Sequence, residues 1–150
     1  AEASAVAEVV VKAEGLDIVT ASIGDAELML EVAAAPEERQ QGLSGRLGLE
    51  LDAGMLFYFP SGSATGLWMN EMLFDLDFIW IGVDCTVVDL HENVPSPSGP
   101  DDALPIYRPD GEAATVIEVA AGSVRTAGIA RGDEVRFGPS RAGTSYGCDG

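Results

Sequence analysis

Residues 74–92 have the sequence FDLDFIWIGVDCTVVDLHE, which carries the strongest alternation of side chains in the chain. Over its first eight residues, the aromatic and leucine side chains point to one side of an extended backbone. The aspartate and isoleucine side chains point to the other side, as expected for a β-strand. Residues 82–85 then form a turn, and residues 86–92 return as a partner strand.

The rest of the chain holds further short apolar segments separated by turn residues. We expect strands at residues 18–24, 27–33, 54–59, 116–119 and 134–137, with another beginning at residues 67–69. One short helix begins at Pro36 and ends near Gly42, and a second is capped by Ser123 and ended by Gly128. The sequence therefore predicts a mainly β (α+β) protein, a single compact β-sandwich or barrel-like domain of short, mostly antiparallel strands with two short helices.

The length of 150 residues fits one domain with a substantial buried core. We place that domain at residues 15–137. Residues 1–14 are expected to form a tail or a leading strand. The Gly/Ser-rich residues 138–150 are expected to form a flexible C-terminal tail.

The composition is strongly acidic, with 25 Asp and Glu against 8 Lys and Arg and a formal net charge of −17. Such a charge repels phosphate backbones, so it excludes nucleic-acid binding, which needs a basic face. The acidity fits a solvated surface, as in an exported protein or a saline habitat, or a patch that binds cations or a basic partner. No apolar run reaches the roughly 18 residues that a transmembrane segment needs.

The side chains that most metal and redox sites require are scarce. With one His and two Cys, the chain cannot form a two-histidine metal site, a zinc ribbon or a CxxC redox motif. It also has no GxxxxGK phosphate-binding loop. We therefore predict no cofactor and no metal site, and we assign no catalytic residue.

The N-terminus and the cysteines bear on the cellular compartment. The chain starts at Ala1 with a segment rich in small residues, as after removal of a signal peptide or in a cloned fragment. Cys85 and Cys148 are an even pair, and a disulfide between them would stabilise the fold by about 4 kcal/mol. The alternative is that Cys148 lies in a loose tail and the thiols never meet. We expect an extracytoplasmic protein that is periplasmic, secreted or tethered to a surface.

A series of short motifs follows a recognisable order along the chain. They are Glu38-Arg39 with Gly42-Leu43 and Arg46, Gly54-Met55-Leu56-Phe57 with Phe59, Trp68-Met69, Leu73, Leu76-Asp77 with Ile79, Val87-Val88, Tyr107, Glu118-Val119, Ala121-Gly122, Gly128-Ile129 and Gly132-Asp133-Glu134-Val135. In this order they resemble the DUF192 family, a domain of unknown function found in bacteria and archaea, over about residues 28–137. The resemblance implies one small β-rich domain, often behind a signal peptide or lipoprotein signal, with no established catalytic activity.

Trp68, Met69, Arg39, Arg46 and Asp77 are candidates for a ligand-binding site. Trp68 and Met69 either line a cleft between sheets or belong to the core. The two arginines lie on or just after the first helix. Either of them pairs with Asp77 and locks the helix onto the sheet, or binds an anion or a substrate.

His91 completes the candidate set, together with two acidic residues. Asp75 and Asp77 fall on the same face of one strand, where two close carboxylates share a proton or hold a cation. If the turn centres near residue 83 or 84, His91 lies opposite residues 75–77 and pairs with one of the acids. Otherwise Asp77 satisfies backbone or arginine groups, Asp75 is solvated, and His91 has no role.

Three hypotheses about function follow. The first is a non-catalytic extracytoplasmic module that binds a small ligand or an envelope protein. The second is a hydrolase that acts through Asp75, Asp77 and His91, and the third is a structural accessory domain. A solvent-open pocket walled by Trp68 and Met69 would favour the first hypothesis. Convergence of Asp77 and His91 at such a pocket would favour the second, and a filled core would favour the third.

Overall fold

A computed structural model describes residues 15–99 and 103–149. The predicted N-terminal tail or leading strand, residues 1–14, lies outside them. In the described part, the strands are β1 Asp17–Ile23, β2 Ala26–Ala33, β3 Ala53–Tyr58, β4 Leu76–Ile81, β5 Val87–Val94, β6 Thr115–Ala120 and β7 Val135–Phe137. The helices in the same residues are α1 Pro36–Gln41 and α2 Ser123–Ala127.

All seven strands belong to one sheet with the order β5-β4-β6-β3-β2-β1-β7. Neighbouring strands are antiparallel, except that β2 and β3 are parallel. This exception arises because the chain crosses over between β2 and β3 through α1 and the segment after it. The mainly β prediction with two short helices is confirmed. Of the two expected architectures, a sandwich or a barrel-like domain, the structure shows the barrel-like one. A sandwich consists of two packed sheets, whereas the seven strands here belong to one sheet.

The sheet is curled into a half-barrel whose edge strands, β5 and β7, approach each other at one end. The amide of Val87 donates to the carbonyl of Asp133 at 2.9 Å, and the amide of Val135 donates to the carbonyl of Cys85 at 2.8 Å. At the same place, Cys85 and Cys148 form a disulfide with their Cα atoms 5.5 Å apart. We call this junction of the two edges the seam. It joins the start of β5 to the end of the chain.

Each face of the curled sheet has its own apolar cluster. The cluster on the enclosed face takes side chains from all seven strands, including Leu30, Ile79 and Val135. The cluster on the outer face includes Phe57, and residues 64–72 and other loops cover it. Every residue of β4 is buried because both faces of this strand are covered. The predicted alternation is confirmed, since Phe78 lies in the outer cluster and Ile79 in the enclosed one.

The strand expected to begin at residues 67–69 is not formed, and that prediction was wrong. Leu67 makes an isolated antiparallel bridge with Tyr107. The chain then turns, with Glu71 at a positive φ of 59°. An extended strand cannot continue through this left-handed backbone conformation, so the segment remains a loop over the outer cluster.

Helix α1 begins at Pro36, as predicted, and its start lacks the usual polar cap because Ala35 occupies the N-cap position. The carboxylate of Glu38 supplies a substitute by accepting hydrogen bonds from the amides of Ala34 at 3.1 Å and Ala35 at 2.9 Å. This is the reciprocal half of a capping box. The helix ends at Gly42, whose φ of 50° is costly for a residue with a side chain.

The segment after β7 is held against the sheet, although its composition led us to expect flexibility. The hydroxyl of Tyr146 donates to Asp17 Oδ2 at 2.6 Å, and the amide of Ala142 donates to Asp17 Oδ1 at 2.8 Å. Desolvation works to raise the pKa of Asp17, but the hydrogen bonds it accepts outweigh desolvation and lower the pKa to about 2. Burial and the neighbouring Asp17 raise the pKa of Tyr146 to about 12. The seam disulfide closes the same segment onto the half-barrel.

Candidate ligand-binding site

A cavity of about 220 Å³ lies between helix α1, the end of β3, strand β6 and residues 64–72. Apolar and aromatic side chains form much of its wall, and two residues with charged or ionisable side chains reach it from opposite elements. The lining residues that matter for the chemistry are Arg39, Leu43, Phe57, Phe59, Trp68 and Glu118. We call this space the Glu118 cavity.

Glu118 enters the cavity from β6, a strand in which almost every residue is buried. Its neighbours in register are Met55 on β3 and Phe78 on β4, both uncharged. The residue is 4% exposed. In the described part of the chain, no hydrogen bond or charge offsets the effect of burial on its carboxyl. Burial raises the pKa of Glu118 from 4.5 to about 8, because the charged form loses its hydration. The carboxyl is therefore mostly protonated at neutral pH.

Arg39 reaches the cavity from the last turn of α1. Its Nη1 donates to the carbonyl of Ala34 and, at 3.2 Å, to the carbonyl of Tyr58. The guanidinium carbon lies 5.2 Å from the centre of the Phe59 ring, within the range of a cation–π contact. These contacts hold the side chain in place without neutralising its charge. Within residues 15–99 and 103–149, no carboxylate forms an ion pair with Arg39.

The aromatic wall combines buried and exposed rings. Phe57 is 3% exposed and belongs to the outer cluster, whereas Trp68 is 55% exposed. Gly42 contributes to the same wall, since a Cβ atom there would lie 3.0 Å from Cζ of Phe57. A larger residue at Gly42 would therefore push against the ring as well as strain the backbone. The exposed indole of Trp68 is available to stack on a molecule that enters.

The structure brings two of the six sequence-predicted ligand-binding residues to the cavity, namely Trp68 and Arg39. Met69, next to Trp68, points into the outer apolar cluster and is 2% exposed. Arg46 pairs with Glu31 through two contacts of 2.5 and 3.0 Å. The expected pairing of Arg39 or Arg46 with Asp77 is not present, because each arginine has other partners.

Asp77 is fully buried and serves the backbone. Its carboxylate accepts hydrogen bonds from the amides of Asn93 at 2.8 Å, Gly122 at 3.0 Å and Val124 at 3.0 Å. It thus satisfies the start of helix α2, where the N-cap residue is Gly122, which has no side chain to do so. The prediction that Ser123 caps this helix was wrong, because Ser123 is its first residue. Asp75 is exposed and accepts from the amide of Ser96 at 2.8 Å. The two carboxylates do not act together.

His91 lies opposite Phe78 in the β4–β5 register, one position away from the expected residues 75–77. Irregularities in the ladder on both sides of residues 78–80 shift the register. The His91 Nδ1 atom accepts a 2.8 Å hydrogen bond from the indole Nε1 of Trp80. The pairing of His91 with Asp75 or Asp77, one of the alternatives that the sequence left open, is therefore not formed. The imidazole belongs to an aromatic cluster that also contains Phe78 and Tyr107.

Sequence reasoning recognised the motif containing Glu118 but did not single the residue out as a site. The available signal was one acid within TVIEVA, a segment that is otherwise apolar except for the threonine at its start. The sequence reasoning also overlooked GTSYG at residues 143–147, which matches the nucleophile-elbow pattern GxSxG. That pattern needs a strand-to-helix turn, whereas these residues lie after β7, and the Ser145 hydroxyl donates to Asp149 at 2.8 Å.

Two negative findings apply to residues 15–99 and 103–149. No cluster of three or more His, Cys, Asp or Glu side chains has an arrangement that would hold a metal ion. No helix in these residues has both the length and the apolar character needed to cross a membrane.

The fold and the cavity define a class of protein, a small mainly β domain with a cavity beside a half-barrel. Residues 18–137 match the model of the DUF192 family, described as "Uncharacterized ACR", and the chain belongs to this family. The match confirms the resemblance drawn from the ordered motifs. No curated protein matches the chain.

Two crystal structures are similar to this chain. A protein of unknown function from Novosphingobium aromaticivorans is 26% identical with a TM-score of 0.71, and the match covers 81% of this chain and 86% of that one. A protein from Sinorhizobium meliloti, described as "a putative transcription regulator", is 30% identical with a TM-score of 0.66. That match covers 86% of this chain and 95% of the other.

Proposed function

We propose that this protein is a small-ligand binding module and that the Glu118 cavity is its binding site. The observation that carries the proposal is the carboxyl of Glu118, which lines the cavity, is buried between the uncharged Met55 and Phe78 and is not stabilised in its charged form by any group of the described residues. Removing a carboxyl from bulk water costs free energy unless a hydrogen bond or an opposite charge compensates it. A ligand that supplies a partner would recover this free energy.

The composition of the cavity wall supports the proposal. Small-molecule sites are typically lined by apolar and aromatic side chains with a few polar groups that fix the orientation of the ligand. Here Phe57, Phe59 and Trp68 supply the aromatic surface, and Arg39 and Glu118 supply the two ionisable groups. The uncharged polar residues of the wall are Gln40, Gln41, Ser44 and Asn70. The volume of about 220 Å³ is below the roughly 300–1,000 Å³ of sites for drug-sized ligands, so the cavity suits only a small metabolite.

Two other functions receive less support. A hydrolase acting through Asp75, Asp77 and His91 would need these side chains at one place, but each has a separate partner. The description of the Sinorhizobium meliloti relative suggests transcriptional regulation. We do not extend DNA binding to this chain, because its net charge of −17 opposes contact with a phosphate backbone.

We further propose that the protein works outside the cytoplasm. The support is the disulfide between Cys85 and Cys148, since such bonds persist mainly in oxidising compartments. Cell fractionation combined with thiol alkylation of the endogenous protein tests this proposal. Recovery from the periplasm or medium with no alkylated cysteine is expected, and a cytoplasmic protein with two alkylated cysteines would overturn it.

The binding proposal is tested by a thermal-shift screen with amines, carboxylic acids, amino acids and sugars. A ligand at about a hundred times its Kd adds about 2.7 kcal/mol to the free energy of unfolding, which raises Tm by several degrees. The shift is expected to disappear in Glu118→Gln and Trp68→Ala and to persist in Glu134→Gln, a control on the exposed surface away from the cavity. A screen without hits, or hits that survive both cavity substitutions, would count against the proposal.

A further inference from the structure

The Glu118 cavity presents an arginine and a glutamate that do not pair with each other. Arg39 belongs to α1 and Glu118 belongs to β6, and both line the same space. No hydrogen bond or ion pair joins their side chains in the part of the chain that the structure describes. Two complementary groups left apart in one cavity match a ligand that carries one charge of each sign.

The guanidinium of Arg39 is held in position and has donors available for an anionic group. Its Nη1 is occupied by backbone carbonyls and its guanidinium plane rests near Phe59, so the side chain is held in position. The Nε and Nη2 atoms make no hydrogen bond within the described residues. A carboxylate binds the guanidinium edge with charge-assisted hydrogen bonds, which are stronger than neutral ones.

Glu118 is prepared to receive a cationic group. The carboxyl has uncharged neighbours on both adjoining strands, Met55 and Phe78, and Arg39 is the charged residue that shares the cavity wall with it. Burial in these surroundings favours the protonated form and raises the pKa of Glu118 to about 8. An ammonium group brought next to the carboxyl would favour the charged form, so the carboxyl would release its proton on binding.

We infer that the ligand of the Glu118 cavity is a small zwitterion, an amino acid with its ammonium group on Glu118 and its carboxylate on Arg39. This inference rests on the proposed binding function and adds the chemical class of the ligand. The carbon skeleton would lie against the ring of Trp68, which is exposed at the cavity. The separation of the two side chains selects the number of carbons between the ligand's amine and carboxylate.

The full chain is titrated with L-leucine, β-alanine, 4-aminobutyrate and 5-aminovalerate. Isothermal titration calorimetry measures the affinity for each compound. Butylamine and butyrate are the single-charge controls. We expect at least one zwitterion to bind about tenfold or more tightly than either control, since it makes two charged contacts instead of one. In Glu118→Gln, the affinity for the zwitterion is expected to fall to that for butyrate. In Arg39→Gln, it is expected to fall to that for butylamine.

Proton release gives a second readout that a structural role for Glu118 would not produce. At about pH 7, the binding enthalpy is measured in buffers with different ionisation enthalpies. We expect the wild type to release close to one proton per ligand. Glu118→Gln should release none, while Glu134→Gln should behave as the wild type. If Arg39→Gln fails to fold, Arg39→Lys, which retains the charge, replaces it. This variant should bind the carboxylate of the zwitterion more weakly than the wild type does.

The outcomes separate this inference from the proposed function. If amines or carboxylates bind in a manner that depends on Glu118 and Trp68 while zwitterions bind no better, the ligand class is overturned and the binding function stands. If zwitterions bind to Glu118→Gln and to Arg39→Gln as tightly as to the wild type, the assignment of the ammonium to Glu118 and of the carboxylate to Arg39 is also overturned. If none of these compounds and no compound in the thermal-shift screen binds, both proposals fall.

Discussion

The indole of Trp80 donates a 2.8 Å hydrogen bond to Nδ1 of His91, so the single histidine of this chain satisfies a buried donor. Trp80 is fully buried and has this one polar atom in its side chain. An indole N–H in an apolar cluster needs an acceptor, and the neighbouring strand provides it. The histidine thus has a packing role that a search for acid–base pairs overlooks.

His91→Ala should lower the free energy of unfolding by about 1–3 kcal/mol, because the Trp80 N–H would be left buried without an acceptor. Urea unfolding, followed by tryptophan fluorescence at about pH 7.5, measures the change. Glu92→Ala is the matched control, since it is the exposed neighbour on the same strand. Equal stability of the two variants would contradict the packing role.

Asp77→Ala should be far more destabilising than Asp75→Ala, although the two acids are two residues apart. The carboxylate of Asp77 satisfies three backbone amides that would otherwise be buried without partners. We expect Asp77→Ala to cost at least about 3 kcal/mol and Asp75→Ala less than about 1 kcal/mol. Chemical denaturation of both variants tests this, and similar losses would show that the acids are equivalent.

The pKa of Glu118 predicts a pH dependence of stability. Because the pKa rises from 4.5 to about 8 on folding, the folded state holds this proton more tightly than the unfolded state. The free energy that this tighter proton binding adds to the folded state is fully present below about pH 4.5. It is lost as the pH rises through about 8. Relative to Glu118→Gln, the wild type should lose on the order of 4 kcal/mol between pH 5 and pH 9.

The measurement is the difference in unfolding free energy between wild type and Glu118→Gln across that pH range. Taking the difference removes the contribution of the other titrating groups. Glu112→Gln, at an exposed position, should track the wild type at every pH. Parallel curves for wild type and Glu118→Gln would mean that Glu118 is ionised in the folded protein at neutral pH.

Replacing both Cys85 and Cys148 by serine should lower the free energy of unfolding by about 4 kcal/mol, since the closed loop restricts the unfolded chain. The seam would also open more readily, because the segment after β7 would keep hydrogen bonds such as that of Tyr146 but lose its covalent attachment. Denaturant curves of the double variant and of the reduced wild type measure the loss. The two curves should coincide, and an unchanged midpoint in both would refute the prediction.

Much of the half-barrel could be anticipated from local patterns. The β1–β2 hairpin, the alternation along β4, the start of α1 at Pro36 and the end of α2 at Gly128 each depend on residues close in sequence. The prediction for residues 67–69 was wrong because three apolar residues do not make a strand without a partner alongside them. Composition likewise says nothing of the contacts from Tyr146 and Cys148 that hold the last residues.

The candidate site was harder to anticipate than the fold. Trp68 and Arg39 could be singled out as side chains that bind ligands, but 29 positions separate them in the chain and no spacing rule relates them. Glu118 gains its significance from Met55 and Phe78 on two adjoining strands, which remove water from its carboxyl. Tertiary structure also decided the partners of Asp77 and His91. Asp77 binds backbone amides and His91 binds the indole of Trp80, so the two side chains do not pair with each other.

Sequence alone was thus sufficient for the family, the mainly β class and most strand positions, because periodicity and turn residues act over a few neighbouring residues. The order of motifs in the chain carried the rest of the identification. The curl of the sheet, the register of His91 and the meeting of Arg39, Trp68 and Glu118 around one cavity were decided by tertiary structure. These features depend on which distant strands and loops pack together, and burial then sets the chemistry of the side chains between them.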